Sequence, residues 1–386
     1  MVHTVVIAPD SFKGTIGAAA AAQALADGWR RVRPDDVLRL LPMADGGEGT
    51  VEAFATAVPG ARRIAVSVTG PEGTPVDASW VLLPPTAAAP AGTGVVELAG
   101  TSGIELLGEP PRLRAHDAHT RGFGEAIAAA LAHGVSRLVL GIGSSASTDG
   151  GTGMLTALGA RFTDAAGHPI PDGGRGLGSI AGVDLSGLAP LPPGGVTVLS
   201  DVTNPLLGPS GAAAVFGPQK GATLSEIAEL DAGLARLAAL VDADREAPGA
   251  GAAGGTGFGL LAWGAELVPG SGAVAELVGL REAIAEVSAI PAGDIDGPRS
   301  AVVLTGEGSY DGQSAAGKVP AHVAAVAAGA GVPAMLVAGR IAPDADTSAF
   351  AATASLTDLA GSPQASMAAP ARWLTEAGAA LARTLT

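Results

Sequence analysis

HTVVIAPDSFKGTIGAAAAAQALADGWRRV, residues 3–32, is the unit from which the rest of the chain reads outward. The β-branched run TVVIA, 4–8, has the character of a strand buried in a parallel sheet. A loop containing glycine follows, and then an alanine-rich stretch that predicts a helix from about residue 16 to 33. The order recurs, with a strand at 37–41 and a helix at about 49–57. Short apolar runs at 137–140, 196–199, 301–304 and 334–337 read as further buried parallel strands. Such strand–loop–helix alternation predicts an α/β fold on an open sheet. Between 62 and 98 the period changes to 2 around a Pro-Glu-Gly turn, which predicts an antiparallel hairpin, and PPTAAAPAGTG, 84–94, reads as a loop. LSEIAELDAGLARLAALVDADRE, 224–246, places Leu224, Ile227, Leu230 and Leu234 three or four apart and predicts an amphipathic structural helix.

At 386 residues the chain is long enough for two domains. The best cut falls near residue 75, and the chain returns near residue 295, by the Gly- and Pro-rich PAGDIDGPRS. The expectation is a discontinuous Rossmann-like parallel-sheet domain, 1–75 and 295–386, with an inserted α/β domain, 76–294.

Composition excludes several function classes. The net charge is −15, and no basic cluster appears beyond Arg30, Arg31 and Arg33, so nucleic acid and anionic membranes are poor partners. The chain has no cysteine, which removes disulfides, thiolate metal sites and thiol catalysis. Its mean hydropathy of +0.38 raises the question of a membrane span. The longest uncharged stretches, such as 81–96 and 319–339, are broken by Pro and Gly and fall short of one. The N-terminus lacks the basic and apolar regions of a signal peptide, so a cytoplasmic protein is expected, as a monomer or homodimer.

Rare residues mark the chemistry. The three lysines, Lys13, Lys220 and Lys318, the one asparagine, Asn204, and the one tyrosine, Tyr310, fall in four short segments rich in Gly, Pro or Asp. Most of these segments adjoin strand ends, where ligands bind in open α/β sheets. For Asn204 and Tyr310, turn preference explains the placement equally well. In PDSFKG, 9–14, a hydroxyl, a carboxylate and an ammonium stand where a helix N-terminus already favours anions. PMADGGEGT, 42–50, sets Asp45 and Glu48 on a glycine scaffold, suited to Mg²⁺ or to substrate hydroxyls, although one of them equally suits a helix cap. GIGSSASTDGGTGM, 141–154, could form a backbone nest around phosphates. Its Gly141, Gly143 and Ala146 also satisfy the dinucleotide fingerprint, but Asp149-Gly150-Gly151 prolongs the loop where a helix should have begun. GQSAAGKV, 312–319, matches the P-loop pattern up to Lys318 and then has Val319 where a metal-binding hydroxyl is required, so it is no Walker motif. His116 and His119 flank Asp117, where the start of a helix outweighs zinc. Lysines in glycine-rich loops beside carboxylates suit phosphoryl transfer, in which catalysis is mainly positioning and charge neutralisation.

APDSFKGT, PMADGGEGT, GIGSSASTDGGTGML, SDVTNPLLGPSGAAAVFGPQKGA, GAAGGTGFGL and TGEGSYDGQSAAGKVP, in that order from residue 8 to about 320, resemble the blocks of the bacterial class I glycerate kinases. One departure is Ser144-Ser145, where a glycine is expected. The resemblance implies ATP-dependent, Mg²⁺-assisted phosphorylation of D-glycerate, at the 2-hydroxyl, with the 3-hydroxyl or another small hydroxy acid as the alternative, in a two-domain α/β fold with the active site in the interdomain cleft. Lys13 and Lys318, with Arg340, then hold the glycerate carboxylate and the transferring phosphoryl group, beside Asp10, Ser11 and Asn204 as substrate contacts. Asp45, Asp201 or Asp311 holds Mg²⁺ or orients the attacking hydroxyl, with Glu48 as a second metal candidate. Gly143, Ser144 and Ser145, with the 208–220 stretch carrying Gly211 and Lys220, cradle the nucleotide phosphates. Two other classes stay open: a nicotinamide-dependent oxidoreductase resting on GIGSSA, and a non-enzymatic carboxylate-binding protein.

Overall fold

The structure, a computed structural model, describes residues 2–12, 14–288, 300–312 and 318–385. Its strands run β1 His3–Pro9, β2 Val37–Leu40, β3 Arg62–Thr69, β4 Pro75–Leu83 and β5 Thr93–Glu97. They continue with β6 Arg137–Gly141, β7 Arg161–Thr163, β8 Gly182–Asp184, β9 Val196–Leu199 and β10 Glu266–Val268. β11 Ser300–Tyr310, β12 Ala334–Ile341 and β13 Ala352–Ser355 complete the order. The chain divides into two compact units, the first formed by Met1–Asp45, Glu52–Pro59 and Ser271–Thr386, the second by Gly46–Val51 and Gly60–Gly270.

The first unit is built on a five-stranded sheet in the order β13-β12-β11-β1-β2, with every neighbouring pair parallel. Counted within this unit, the strand order is 2-1-3-4-5, the doubly wound arrangement whose topological switch lies between its first and third strands, here β1 and β11. Every residue of β1 is buried, as its unbroken apolar run requires. The following helix starts at Ala18, not at 16, because Ile16 bonds back to Phe12 and closes a tight turn. This helix, Ala18–Val32, packs on Pro370–Ala382 with the two backbones in contact. A Cβ at Gly28 would strike the Thr375 carbonyl, and one at Gly378 the Leu25 carbonyl. That close crossing is the structural use of an Ala- and Gly-rich sequence. Asp36 anchors the sheet edge, accepting from the His3 backbone at 2.8 Å, the Trp29 indole at 2.9 Å and Arg33 Nε at 2.8 Å. Burial pushes its carboxyl up, but these donors outweigh burial and hold it below the usual carboxylate range.

The second unit carries a six-stranded sheet, β10-β9-β6-β5-β4-β3, with β10, β9, β6 and β5 parallel and β4 and β3 antiparallel. The expected hairpin is β3–β4, paired from Arg62↔Leu82 to Thr69↔Pro75. A cut near residue 75 would sever this ladder, and the hairpin stays whole in the second unit. Helices Gly270–Leu277 and Leu280–Ser288 fall, from Ser271 onward, in the first unit, where Arg39 of β2 bonds Glu286 at 2.6 Å. The return expected near 295 lies outside the described residues.

The core of the second unit gathers Trp80, Phe123, Leu138, Leu140, Val198 and Phe258. The amphipathic helix runs Leu224–Leu240 and opens with a capping box between Thr223 and Glu226. Its buried face is Leu230, Gly233, Leu234 and Leu237, while Leu224 in the first turn is 88% exposed. Among the described residues no helix is long and apolar enough to cross a membrane.

Candidate functional site

In the second unit the parallel strands end at Glu97, Gly141, Leu199 and Val268, and the loops that follow carry most of its sequence-singled residues. The glycine-rich 46–49 segment lies against this edge. Gly46 has φ 95°, its carbonyl accepts the Gly143 N–H at 2.9 Å, and a Cβ on it would collide with the Leu199 carbonyl. A Cβ at Gly143 would come within 2.5 Å of the Gly47 Cα. These glycines are therefore required by backbone against backbone, which side chains would hold apart. The first turn of the helix Thr50–Ala57 is bound by a residue the motifs did not contain. Glu97, at the end of β5, accepts the Val51 N–H at 2.9 Å and bonds the Gly49 backbone. Burial raises the Glu97 pKa, and the Val51 hydrogen bond opposes the rise. Burial, then the hydrogen-bonded carboxyl of Glu105, pushes Glu48 up.

The loop after β6 bends through Ser144, a non-glycine residue at φ 59°, in the left-handed region that L side chains rarely adopt. The conformation is held by the Ser144 carbonyl, which accepts the Ile104 N–H at 2.9 Å. Asp149, fully buried, closes the loop by accepting Thr120 N–H, Thr120 Oγ1–H, Gly151 N–H and Gly153 N–H at 2.8–3.2 Å. The helix itself, Thr152–Ala157, begins only after this turn. It starts too late for the dinucleotide fingerprint, which removes the support for the nicotinamide reading.

Gly143, Ser144, Ser145 and Lys220 line one cavity of about 350 Å³. Its walls are otherwise largely apolar, from Ile104, Ile142, Val202, Phe216 and Ala253, with the Gln219 side chain at the margin. A concave, mostly apolar site with a few converging polar groups is the ordinary form of a small-molecule pocket. Lys220 is 2% exposed, and its ammonium donates to Ser145 Oγ at 2.8 Å and to the Ser147 carbonyl. Burial pushes it down to about 7, against a smaller upward pull from Asp149. Opposite it the segment Ala252–Trp263 opens with three left-handed residues, Ala253 (φ 53°), Gly254 (φ 68°) and Gly255 (φ 86°). That turn brings the chain close enough that a Cβ at Gly254 would stand 2.9 Å from Lys220 Nζ.

The remaining residues of this unit are more dispersed. Asp201 follows β9, is exposed, and accepts the Gly270 N–H at 2.7 Å. Asn204 donates to the Ser210 carbonyl at 2.7 Å and so tightens its own loop. Gly211 precedes the helix Ala212–Phe216 and is not among the cavity's lining residues.

In the first unit the carboxyl edge collects side-chain charge. Asp10 directly follows β1, is 8% exposed, and accepts the Ser11 N–H at 2.7 Å. Beyond β2 the chain stays alongside β1, with Met43 N–H on the Pro9 carbonyl at 2.9 Å, which brings Asp45 to the same edge. Asp311 follows β11, and Arg340 lies exposed near the end of β12, in register with Ser309. Lys318, exposed, stands at the N-terminus of the helix Val319–Gly329. Asp10 and Asp311 flank the switch point, the expected ligand position of this topology. Tyr310 takes the structural role, with its ring edge-on to Phe350 and its hydroxyl on the Asp346 carbonyl at 3.2 Å. Lys13 and the 313–317 part of the P-loop-like stretch lie outside the described residues. Among the described residues no group of three or more carboxylates or imidazoles forms a metal cage, and the zinc alternative at His116 and His119 has no support.

Fold and edges together define an α/β protein that sets a glycine- and serine-rich loop and a charged loop cluster at the carboxyl ends of parallel strands. A sequence model of the glycerate kinase family matches residues 5–386, and the chain belongs to that family. It is 42% identical to the glycerate 2-kinase of Escherichia coli K12 over 348 residues, 88% of this chain and 86% of that one. A Bacillus subtilis glycerate kinase is 41% identical over 349 residues, 89% of this chain and 86% of its own. A crystal structure of a Salmonella typhimurium LT2 protein, provisionally called glycerate kinase 2, superposes with a TM-score of 0.79. That protein is 37% identical, and the match covers 100% of this chain and 98% of that one.

Proposed function

We propose that the protein transfers the γ-phosphoryl group of ATP to the 2-hydroxyl of D-glycerate, giving 2-phosphoglycerate. The observation that carries this reading is the cavity at Ser144, Ser145 and Lys220 in a chain of the glycerate kinase family. The choice of the 2-position is supported by the Escherichia coli relative, a glycerate 2-kinase. In the reaction the hydroxyl oxygen bonds to the γ-phosphorus, the bond to the β–γ bridging oxygen breaks, and the hydroxyl proton leaves.

The polyphosphate belongs on the 143–145 loop with Lys220, and the base and ribose against the apolar walls of the cavity. Glycerate belongs at the charged edge of the first unit. There Lys318 and Arg340 neutralise its carboxylate and the transferring group, a role the sequence also gives to Lys13, while Asp10 and Ser11 contact its hydroxyls and Asp45 or Asp311 orients the attacking hydroxyl. The second unit's Asp201 and Asn204 keep a secondary place, since their side chains already bond their own surroundings.

Mg²⁺ suits this donor set. Burial, and then the neighbouring Glu105 carboxyl, push Glu48 up, a penalty on its charged form that a divalent cation would offset. Mg²⁺ takes one or two carboxylates and completes its shell with phosphates and water, so a full protein cage is not required. Glu48 or, in the first unit, Asp45 would hold it, and when bound it supplies charge neutralisation to the phosphates.

The test is ³¹P NMR of the product formed from D-glycerate, ATP and Mg²⁺. A phosphomonoester doublet is expected, from coupling to the single C2 proton. A triplet would move the phosphate to C3, and no transfer by folded protein would remove glycerate as the acceptor.

A further inference from the structure

Lys220 is an unusual group to find at 2% exposure with no carboxylate bonded to it. Its fixed partners are two neutral oxygens, Ser145 Oγ and the Ser147 carbonyl. The charged group that acts on it is Asp149, whose carboxylate is already engaged by four donors of Thr120, Gly151 and Gly153. The neighbours at the amine bring no charge, Ser145 and Ser147 as its partners and Gly254 close by, and the other residues lining the cavity are uncharged.

Donor arithmetic then separates the two protonation states. A neutral amine offers two N–H groups, which the two oxygens accept, and leaves over only an uncharged lone pair. An ammonium has three N–H groups, and the third finds no acceptor among the described residues. Lys220 lines the cavity, so an oxyanion entering there supplies both the missing acceptor and the missing counter-charge.

We propose, building on the nucleotide reading of this cavity, that Lys220 is the buried counter-charge of its polyphosphate subsite and that filling the subsite draws a proton from solvent onto the amine. The balance is simple: neutral amine, a proton released by the buffer and the polyphosphate give an ammonium–polyphosphate pair, with no other bond changed. Because burial holds the free group near 7, the amine is about half protonated at neutral pH and binding completes it. Above that pH the binding-competent form becomes scarce and affinity falls.

The experiment is calorimetric titration of Mg²⁺-ATP into the full chain at pH 7, in two buffers of different ionisation heat, with wild type and Lys220→Arg compared. Arginine stays protonated throughout, so the difference between the two isolates residue 220 from the nucleotide's own protons. Wild type is expected to take up about half a proton more per ATP than Lys220→Arg, and D-glycerate alone should show no such difference. Should the arginine variant not fold, wild type alone decides. Its Kd for ATP should rise about fivefold from pH 7 to pH 8, following a group at about 7. ATP binding with equal proton counts, or with a Kd flat over that range, overturns the counter-charge and leaves the nucleotide reading standing. Proton uptake on glycerate alone overturns the polyphosphate assignment, and folded protein that binds no ATP overturns both.

Discussion

The two carboxyl edges of this molecule are built of different materials for the one task proposed for both, holding anions. The first unit offers full charges on side chains: Asp10, Asp45, Asp311, Lys318 and Arg340 stand where strands end. The second offers a bent backbone, hydroxyls and apolar walls, with the one amine of Lys220 sealed beneath them. Charges such as the exposed Lys318 and Arg340 are adaptable and can discriminate a small acid by number and position, but water and salt screen them. Backbone and buried groups are pre-organised and feel a lower dielectric, so each contact is stronger and each misplacement costs more. The second edge should therefore respond to changes in shape, and the first to changes in charge.

Four substitutions put that contrast at risk. Gly46→Ala tests shape most severely, since the added Cβ meets the Leu199 carbonyl from a backbone at φ 95°. A loss of about 3–4 kcal/mol is expected in urea unfolding, and an unchanged midpoint would mean that the 46–49 segment does not rest on this edge. Lys13→Ala tests charge: kcat/KM should fall by at least about a hundredfold with the circular dichroism spectrum unchanged, and a near-normal value removes Lys13 from the site. Phe216→Ala trims an apolar wall and should raise KM for ATP roughly tenfold while KM for glycerate stays put. Equal shifts in both would assign the cavity to something other than the nucleoside. The smallest effect runs the other way. Ser144→Gly relieves a left-handed residue at φ 59° and should add about 1–2 kcal/mol, read as a Tm gain of about 2–4 °C. A lower Tm would show that the serine, not the turn, stabilises the loop.

Much of this was visible in the chain read alone, for reasons that differ by element. Strands such as β1 and β9 are continuous apolar runs between loop signals, and that local pattern is enough to find them. The candidate loops stood out because lysine is so scarce here, and four of the five residues proposed for the nucleotide line one cavity. Glu97 left no trace, because nothing around it repeats and its partners, Gly49 and Val51, are nearly fifty residues away. Leu224 misled in the opposite direction: it has the right spacing for the buried face, yet it sits in the first turn, beyond the packed part of the helix.

What the sequence determined by itself was therefore the alternation of strand and helix, the glycine-rich loops that follow the strands and the family to which the blocks belong. All of these are encoded within a few residues of one another, in local propensity and composition. Only the tertiary structure decided that the 62–83 hairpin joins the second sheet, that Ser144 is forced left-handed and that Lys220 is buried beside Ser145 and Ser147. Each of those depends on which distant backbone arrives next to it. A lysine carries no local mark of whether water or a serine loop will surround it, and that environment is what sets its charge.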